Sequence, residues 1–301
     1  MLFFNAHISR TGGLTLAHIL RRNFGDDHLD IYTEEIKNVL GSARVTPTIG
    51  MLTPDELNRI LDQNGEIKSI SSHWIPIPSG IEILKERFGI VKIITFLRNP
   101  IDVIISKFFS FRRRYLHSET LPEHMLYDYR NDLSLFLKHW AYVSKQYDVQ
   151  DQCRNYTSYF LDNDLNIDKG LSRLKNDFWF VGLTERFNEG LILLKDRFQQ
   201  LDISFSIYYN RKNKGLQVNE EKKKLVTEEV LKNIIDQNKI DLKLYENIPP
   251  FYEKSICKYS GNMKKDLLRY KQKLAVWRTY QSIVPNVAKR AIVGIQKNVL
   301  Q

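Results

Sequence analysis

Ser9-Arg10-Thr11-Gly12-Gly13-Leu14-Thr15 is a run of residue types suited to holding an oxyanion. Arg10 brings a permanent charge, and the hydroxyls of Ser9, Thr11 and Thr15 can donate to non-bridging oxygens. Two glycines let backbone N–H groups come close to such a group. An ordinary strand-to-helix turn also uses a Gly-Gly pair, so this segment by itself leaves both readings open. Farther on, Arg98 precedes Ser106 by eight residues, and on a helix begun just after the arginine the two could grip one phosphate. Of the seven histidines, His73 follows Ser71-Ser72 at the end of a short run centred on Ile70. An imidazole of pKa about 6.5 can take a proton from a hydroxyl near neutral pH. A histidine at a strand end is also commonly a packed core residue.

These side chains need a scaffold, and the apolar pattern supplies one. Leu2 to Ile8 read as a strand running into the glycine loop, and Leu14 to Phe24 repeat apolar residues at helical spacing. Ile67 to Ile70 form a second strand, followed by a Pro-punctuated loop and a helix around Ile81 to Arg87. Ile90 to Leu97, rich in β-branched residues, form a third, and Ile101 to Phe111 a helix with Pro100 near its start. Phe178 to Leu183 and Glu185 to Phe198 repeat the strand-helix pattern. Strands alternating with helices predict an α/β fold, a central parallel sheet flanked by helices. The carboxyl ends of such strands are where ligands bind, and Arg98 and His73 are both placed there.

The segment His7-Ile8-Ser9-Arg10-Thr11-Gly12-Gly13-Leu14-Thr15-Leu16 resembles the 5′-phosphosulfate loop of carbohydrate sulfotransferases of the heparan type. These use 3′-phosphoadenosine 5′-phosphosulfate (PAPS). Arg10 stands where that family has Lys, Ser9 where it often has Pro, and Leu14 where it commonly has Thr. Ile93 to Ser106, with Leu97-Arg98-Asn99-Pro100 at its turn, resembles the family's 3′-phosphate segment. Val181-Gly182-Leu183-Thr184-Glu185-Arg186-Phe187 and Asn238-Lys239-Ile240-Asp241-Leu242-Lys243-Leu244-Tyr245 are similar to two further signatures, both read as scaffold. Asn155-Tyr156-Thr157-Ser158 departs from the family's Asn-x-Gln-Thr-Arg, and no role is carried over there. The resemblance implies a sulfotransferase fold with a strand–loop–helix phosphosulfate site. It also implies PAPS as co-substrate without a metal, and Ser9, Arg10, Thr11, Gly12, Gly13, Leu14, Thr15, Arg98, Ser106 and Arg211 as donor-binding residues. His73, in Ser72-His73-Trp74, takes the place of the family's histidine base, with Arg10 beside the leaving group. The acceptor implied is a hydroxyl of a saccharide or glycolipid. Specificity is expected from loops around the cleft, Trp74 to Pro78 among them; Arg112-Arg113-Arg114-Tyr115 could grip an anionic or sugar substrate, but the preferred reading of those arginines is a solvated surface.

Two rivals are weighed against this. A kinase or NTPase would share the phosphate loop but needs a Walker Gly-x-x-x-x-Gly-Lys-Ser/Thr, which is absent. A non-enzymatic protein docking through a basic tail fits the charge distribution. The chain carries a net charge of +10, and from Glu253 onward eleven Lys or Arg face two acidic residues. A sulfotransferase domain over residues 1–252 and a basic helical extension over 253–301 are therefore expected. In the extension Leu267, Tyr270, Leu274 and Trp277 fall at helical spacing. That stripe suits packing on its own domain, a homodimer, or peripheral contact with a membrane surface. Nucleic acid is not expected, because the remaining 252 residues are close to neutral. Two cysteines, Cys153 and Cys257, exclude a disulfide framework, and no export signal or membrane span is read, so a cytoplasmic setting is expected.

Overall fold

The computed structural model describes residues 1–32, 51–115, 128–147, 151, 153–210 and 224–283. Among these residues five strands form one parallel sheet: β1 (Leu2–Ala6), β2 (His28–Ile31), β3 (Ser69–Ser72), β4 (Val91–Leu97) and β5 (Phe178–Leu183), in the order β2-β3-β1-β4-β5. Every residue of β1 and of β3 is buried. Adjacent residues point to opposite faces, so both faces of the sheet are covered. Because all the strands run the same way, their carboxyl ends share one edge.

The helices follow the strands in order: α1 (Gly13–Phe24), α2 (Pro54–Asp62), α3 (Ile77–Phe88), α4 (Pro100–Tyr115), α5 (Leu133–Tyr147), α6 (Tyr156–Leu161), α7 (Ile167–Asn176), α8 (Phe187–Gln199), α9 (Glu228–Gln237), α10 (Lys239–Glu246), α11 (Ile248–Cys257) and α12 (Met263–Ile283). Their starts are written locally. Thr53 and Glu56 cap α2 reciprocally, with Pro54 in the first turn. Asn99 accepts the Ile101 N–H at the head of α4, where Pro100 needs no partner for a missing donor.

Two elements differ from the sequence expectation. β3 lies at Ser69–Ser72, two residues beyond the apolar run, because each of its serines has a hydrogen-bond partner, two of them on neighbouring strands. Ser69 Oγ meets His28 Nδ1 at 2.6 Å, Ser71 Oγ accepts from Asn5 Nδ2 at 3.1 Å, and Ser72 Oγ accepts from Trp74 N at 2.9 Å. β2, His-Leu-Asp-Ile, has too polar a pattern to be read as a strand, yet Asp30 is buried there by pairing with Arg21 and His28.

The expected boundary at residue 252 falls inside α11, whose Tyr252 is fully buried. In α12 the stripe Tyr270, Leu274 and Trp277 joins the same core as the sheet. Tyr208 stacks near both Tyr270 and Trp277, the Arg22 guanidinium lies 4.6 Å from the Trp277 ring, and Tyr270 Oη donates to Ile207 O at 2.8 Å. The tail's apolar stripe is thus occupied by its own domain. Among the described residues, no helix is long and apolar enough to cross a membrane.

Candidate active site

The glycine loop leaves β1 at Ala6 and enters α1 at Gly13. Arg10 and Gly12 both adopt left-handed backbone, with φ of 68° and 92°. Glycine does this without strain, and Arg10 does it under constraint, since Arg98 Nη1 donates to its carbonyl at 3.2 Å. Thr11 Oγ1 donates to Ile8 O, so its hydroxyl proton serves the loop rather than an incoming anion. Thr184 Oγ1, just after β5, donates to Thr11 O at 2.6 Å. Among the described residues no side chain caps the start of α1, and its first turn has no acidic residue, an arrangement that suits an anion at the positive end of the helix. Ser9 and Thr15 are half-buried at the loop's two ends, and Leu14 is exposed.

The two glycines are also demanded by packing. A Cβ on Gly13 would stand 1.8 Å from His7 Cδ2, and one on Gly12 would stand 2.9 Å from Phe187 Cε2. Both positions are bare because aromatic rings fill them. His7 is therefore packed into the loop, and its ring stacks on His73 with centroids 3.9 Å apart. Its carbonyl accepts from His73 Nδ1 at 2.8 Å, and its Nδ1 shares a 3.0 Å hydrogen bond with Tyr32 Oη.

That contact sets the tautomer of His73. A carbonyl oxygen only accepts, so Nδ1 carries the hydrogen and Nε2 carries the lone pair. Burial, with a smaller contribution from nearby Lys107, lowers the His73 pKa to about 4, against the raising effect of the His7 carbonyl. The imidazole is neutral at pH 7, as a proton acceptor must be.

Arg10 Nε donates to Ser106 Oγ at 3.0 Å and Nη1 to Ser110 Oγ at 3.2 Å. The side chain expected beside the sulfur–phosphorus bridge thus rests on α4, next to the serine expected to hold the 3′-phosphate. The structure brings Arg10, Arg98 and Ser106 into one cluster at the carboxyl edge of β1 and β4. Arg211 lies outside the described residues. The Trp74 to Pro78 loop is not an open rim: Trp74, Ile75 and Ile77 are buried in the core. Arg112 is half-buried and Arg113 exposed on the last turns of α4.

The two signatures read as scaffold hold the Arg98 turn and the helices behind it. Glu185 Oε1 accepts the Asn99 N–H at 2.8 Å, fixing the turn that carries Arg98. Phe187 packs on Gly12 and, with ring centroids 4.6 Å apart, on Phe96. Tyr245 hydrogen-bonds Glu185, and burial together with that carboxylate raises its pKa. Asp241 accepts the N–H groups of Thr157 and Ser158 at the start of α6, while Asn155 Oδ1 accepts those of Ile240 and Asp241 at the start of α10. Each helix start is capped from the other, so the Asn-x-x-Asp spacing locks α10 onto the segment where the family pattern is missing.

Sequence reasoning missed Lys107. It is 1% exposed on α4, with Nζ 4.4 Å from the centre of the Tyr156 ring. Burial lowers its pKa, Cys153, Asp151 and Asp241 raise it, and Arg10 lowers it further. A lysine next to Ser106 on a helix reads as surface, and no sequence signal separates the two placements.

No family model matches the sequence. No curated protein matches it either. Among solved structures, the chain is similar to a sulfotransferase from Alicyclobacillus acidocaldarius at 16% identity and a TM-score of 0.42, over 80% of this chain and 95% of that one.

Proposed function

We propose that this protein is a PAPS-dependent sulfotransferase that moves a sulfuryl group to a hydroxyl of a saccharide or glycolipid. The observation that carries the reading is the convergence, on one sheet edge, of an open helix start, the Arg10–Arg98–Ser106 cluster and a neutral His73 with its Nε2 lone pair. The residues fit a donor with two anionic ends. In this reading the start of α1 would take one, and Arg98 with Ser106 the other.

In the proposed reaction His73 Nε2 accepts the proton of the acceptor hydroxyl as that oxygen attacks sulfur in line. The new O–S bond forms, the S–O bond to the 5′-phosphate breaks, and the electron pair leaves with the phosphate. The products are the sulfated acceptor and 3′-phosphoadenosine 5′-phosphate (PAP), and the imidazolium returns its proton to water. Arg10 and the first N–H groups of α1 favour the charge that develops on the leaving phosphate. A low His73 pKa in the free protein is compatible with this role, because an anion in the loop raises it as the proton arrives.

The test is incubation with PAPS labelled in the sulfuryl group and a panel of oligosaccharides and glycolipids, reading label transfer and PAP release. Transfer that falls at least about a hundredfold in His73→Ala, with PAP binding retained, supports the reading. Undiminished transfer in that variant removes His73 as the base, and no transfer to any hydroxyl counts against the activity.

A further inference from the structure

We infer that the solvent face of α12 is a docking surface for an anionic lipid bilayer. The buried stripe of this helix is committed to the core, so the membrane question turns on its other side. Lys264, Leu268, Gln272 and Val276 follow one another at four-residue intervals along one exposed ridge, and Lys265, Arg269 and Lys273 form the ridge beside it. Lys271 borders the first ridge on its other flank and is also exposed. Five cations therefore surround two bare aliphatic side chains. Val276, at 71%, is the most exposed large apolar residue among those described, and Leu268 is at 60%. The single acidic residue of the helix, Asp266, accepts from Tyr259 Oη at 3.1 Å and lies 4.0 Å from Arg269 at the edge of this face, which leaves the four lysines as its dominant charge.

Charge alone would suit any polyanion. The two aliphatic side chains decide between partners: a hydrated nucleic acid or polysaccharide offers them nothing, whereas a bilayer interface takes up apolar side chains while lysine amines reach the phosphates. Arg278 Nε donates to Tyr209 O at 3.0 Å, and Tyr209 Oη donates to Asn188 Oδ1 at 2.9 Å. Asn188 follows Phe187, which packs on Gly12. The carboxyl end of α12 is thus linked, through Tyr209 and Asn188, to the sheet edge that carries the glycine loop.

The experiment is co-sedimentation of the full chain with phosphatidylcholine vesicles, with or without phosphatidylglycerol, at about 0.1 M and about 1 M salt, between which the screening length shrinks from about 10 Å to about 3 Å. Double variants Lys264→Glu with Lys271→Glu, and Leu268→Ser with Val276→Ser, alter exposed positions only. Binding is expected to anionic vesicles alone, to weaken at high salt, to fall at least about tenfold in the lysine pair and several-fold in the aliphatic pair. Absence of binding to anionic vesicles overturns the inference. So does an aliphatic pair that binds as wild type while double-stranded DNA competes fully, which would mark a general polyanion surface. Calorimetry with PAP on the same variants should be unchanged, so failure of the lipid surface and failure of the nucleotide site are separate results.

Discussion

Replacing Gly13 with alanine asks whether the glycine loop and the stacked His7–His73 pair form one mechanical unit. The added methyl would lie 1.8 Å, 2.2 Å and 2.6 Å from three atoms of the His7 ring, where unstrained contacts need about 3.5–4.0 Å. The ring has little room to retreat, being 3% exposed, stacked on His73 and hydrogen-bonded to Tyr32. The backbone does not object: Gly13 is the first residue of α1 and is not among the positive-φ glycines. Alanine there, without the clash, should stabilise by about 0.5–1 kcal/mol. With the clash, overpacking should cost about 1–3 kcal/mol, a fall of roughly 2–6 °C in Tm for a chain of this size. His7→Ala removes the ring, so in that background Gly13→Ala should be neutral or stabilising. Urea unfolding of the four proteins of this cycle should return a coupling on the order of 2–3 kcal/mol between the two positions. An equal cost of Gly13→Ala in both backgrounds would refute the reasoning and return the glycine to a role in backbone approach alone.

Two histidines give a pH signature. Burial lowers the pKa of both His73 and His28 to about 4, with Arg21 adding to the effect at His28. An unfolded histidine titrates near 6.5, so between pH 6.5 and 4 the unfolded chain binds more protons, and stability present above 6.5 is lost as pH falls. Melting scans from pH 7.5 to about 4.5 should show this loss, and His73→Asn or His28→Asn should flatten it; a slope unchanged in both would contradict the burial argument. Asp241→Ala removes the acceptor for two helix-start N–H groups and should cost about 2–4 kcal/mol in denaturant unfolding. A cost below about 0.5 kcal/mol would mean that the reciprocal caps do not hold α6 and α10 together.

The placement of the candidate site residues on one edge is legible in the sequence because one rule positions them. In an all-parallel sheet the residue after each strand lands on the same edge, so Arg10, His73 and Arg98 can be brought together from three strand ends before any distance is known. β1, β4 and β5 are legible for the same reason that they are buried on both faces: each is a nearly unbroken apolar run. β2 is not, and β3 is legible only as an apolar run two residues early, because their polar residues are satisfied by partners far away in sequence, such as Asn5 for Ser71 and Ser69 for His28. Pattern reads a residue's own chemistry and cannot see a distant partner. The same blindness covers Lys107, Tyr32 and the ring of Phe187, and it is why Thr184 and Glu185 read as scaffold although they hold the loop and the Arg98 turn. The stripe on α12 is visible in the sequence, but what covers it is not, since Tyr208 and Arg22 reach it only in the folded chain.

The central claim is the nucleotide site, and isothermal calorimetry with PAP tests it most directly. Wild-type protein should bind PAP with a dissociation constant in the micromolar range, about −8 kcal/mol, and ATP with Mg²⁺ much more weakly. Arg98→Ala and Arg10→Ala should each weaken PAP binding about tenfold or more, as loss of a charge-assisted contact requires. No PAP binding by the wild type, or equal binding in both arginine variants, would contradict the account.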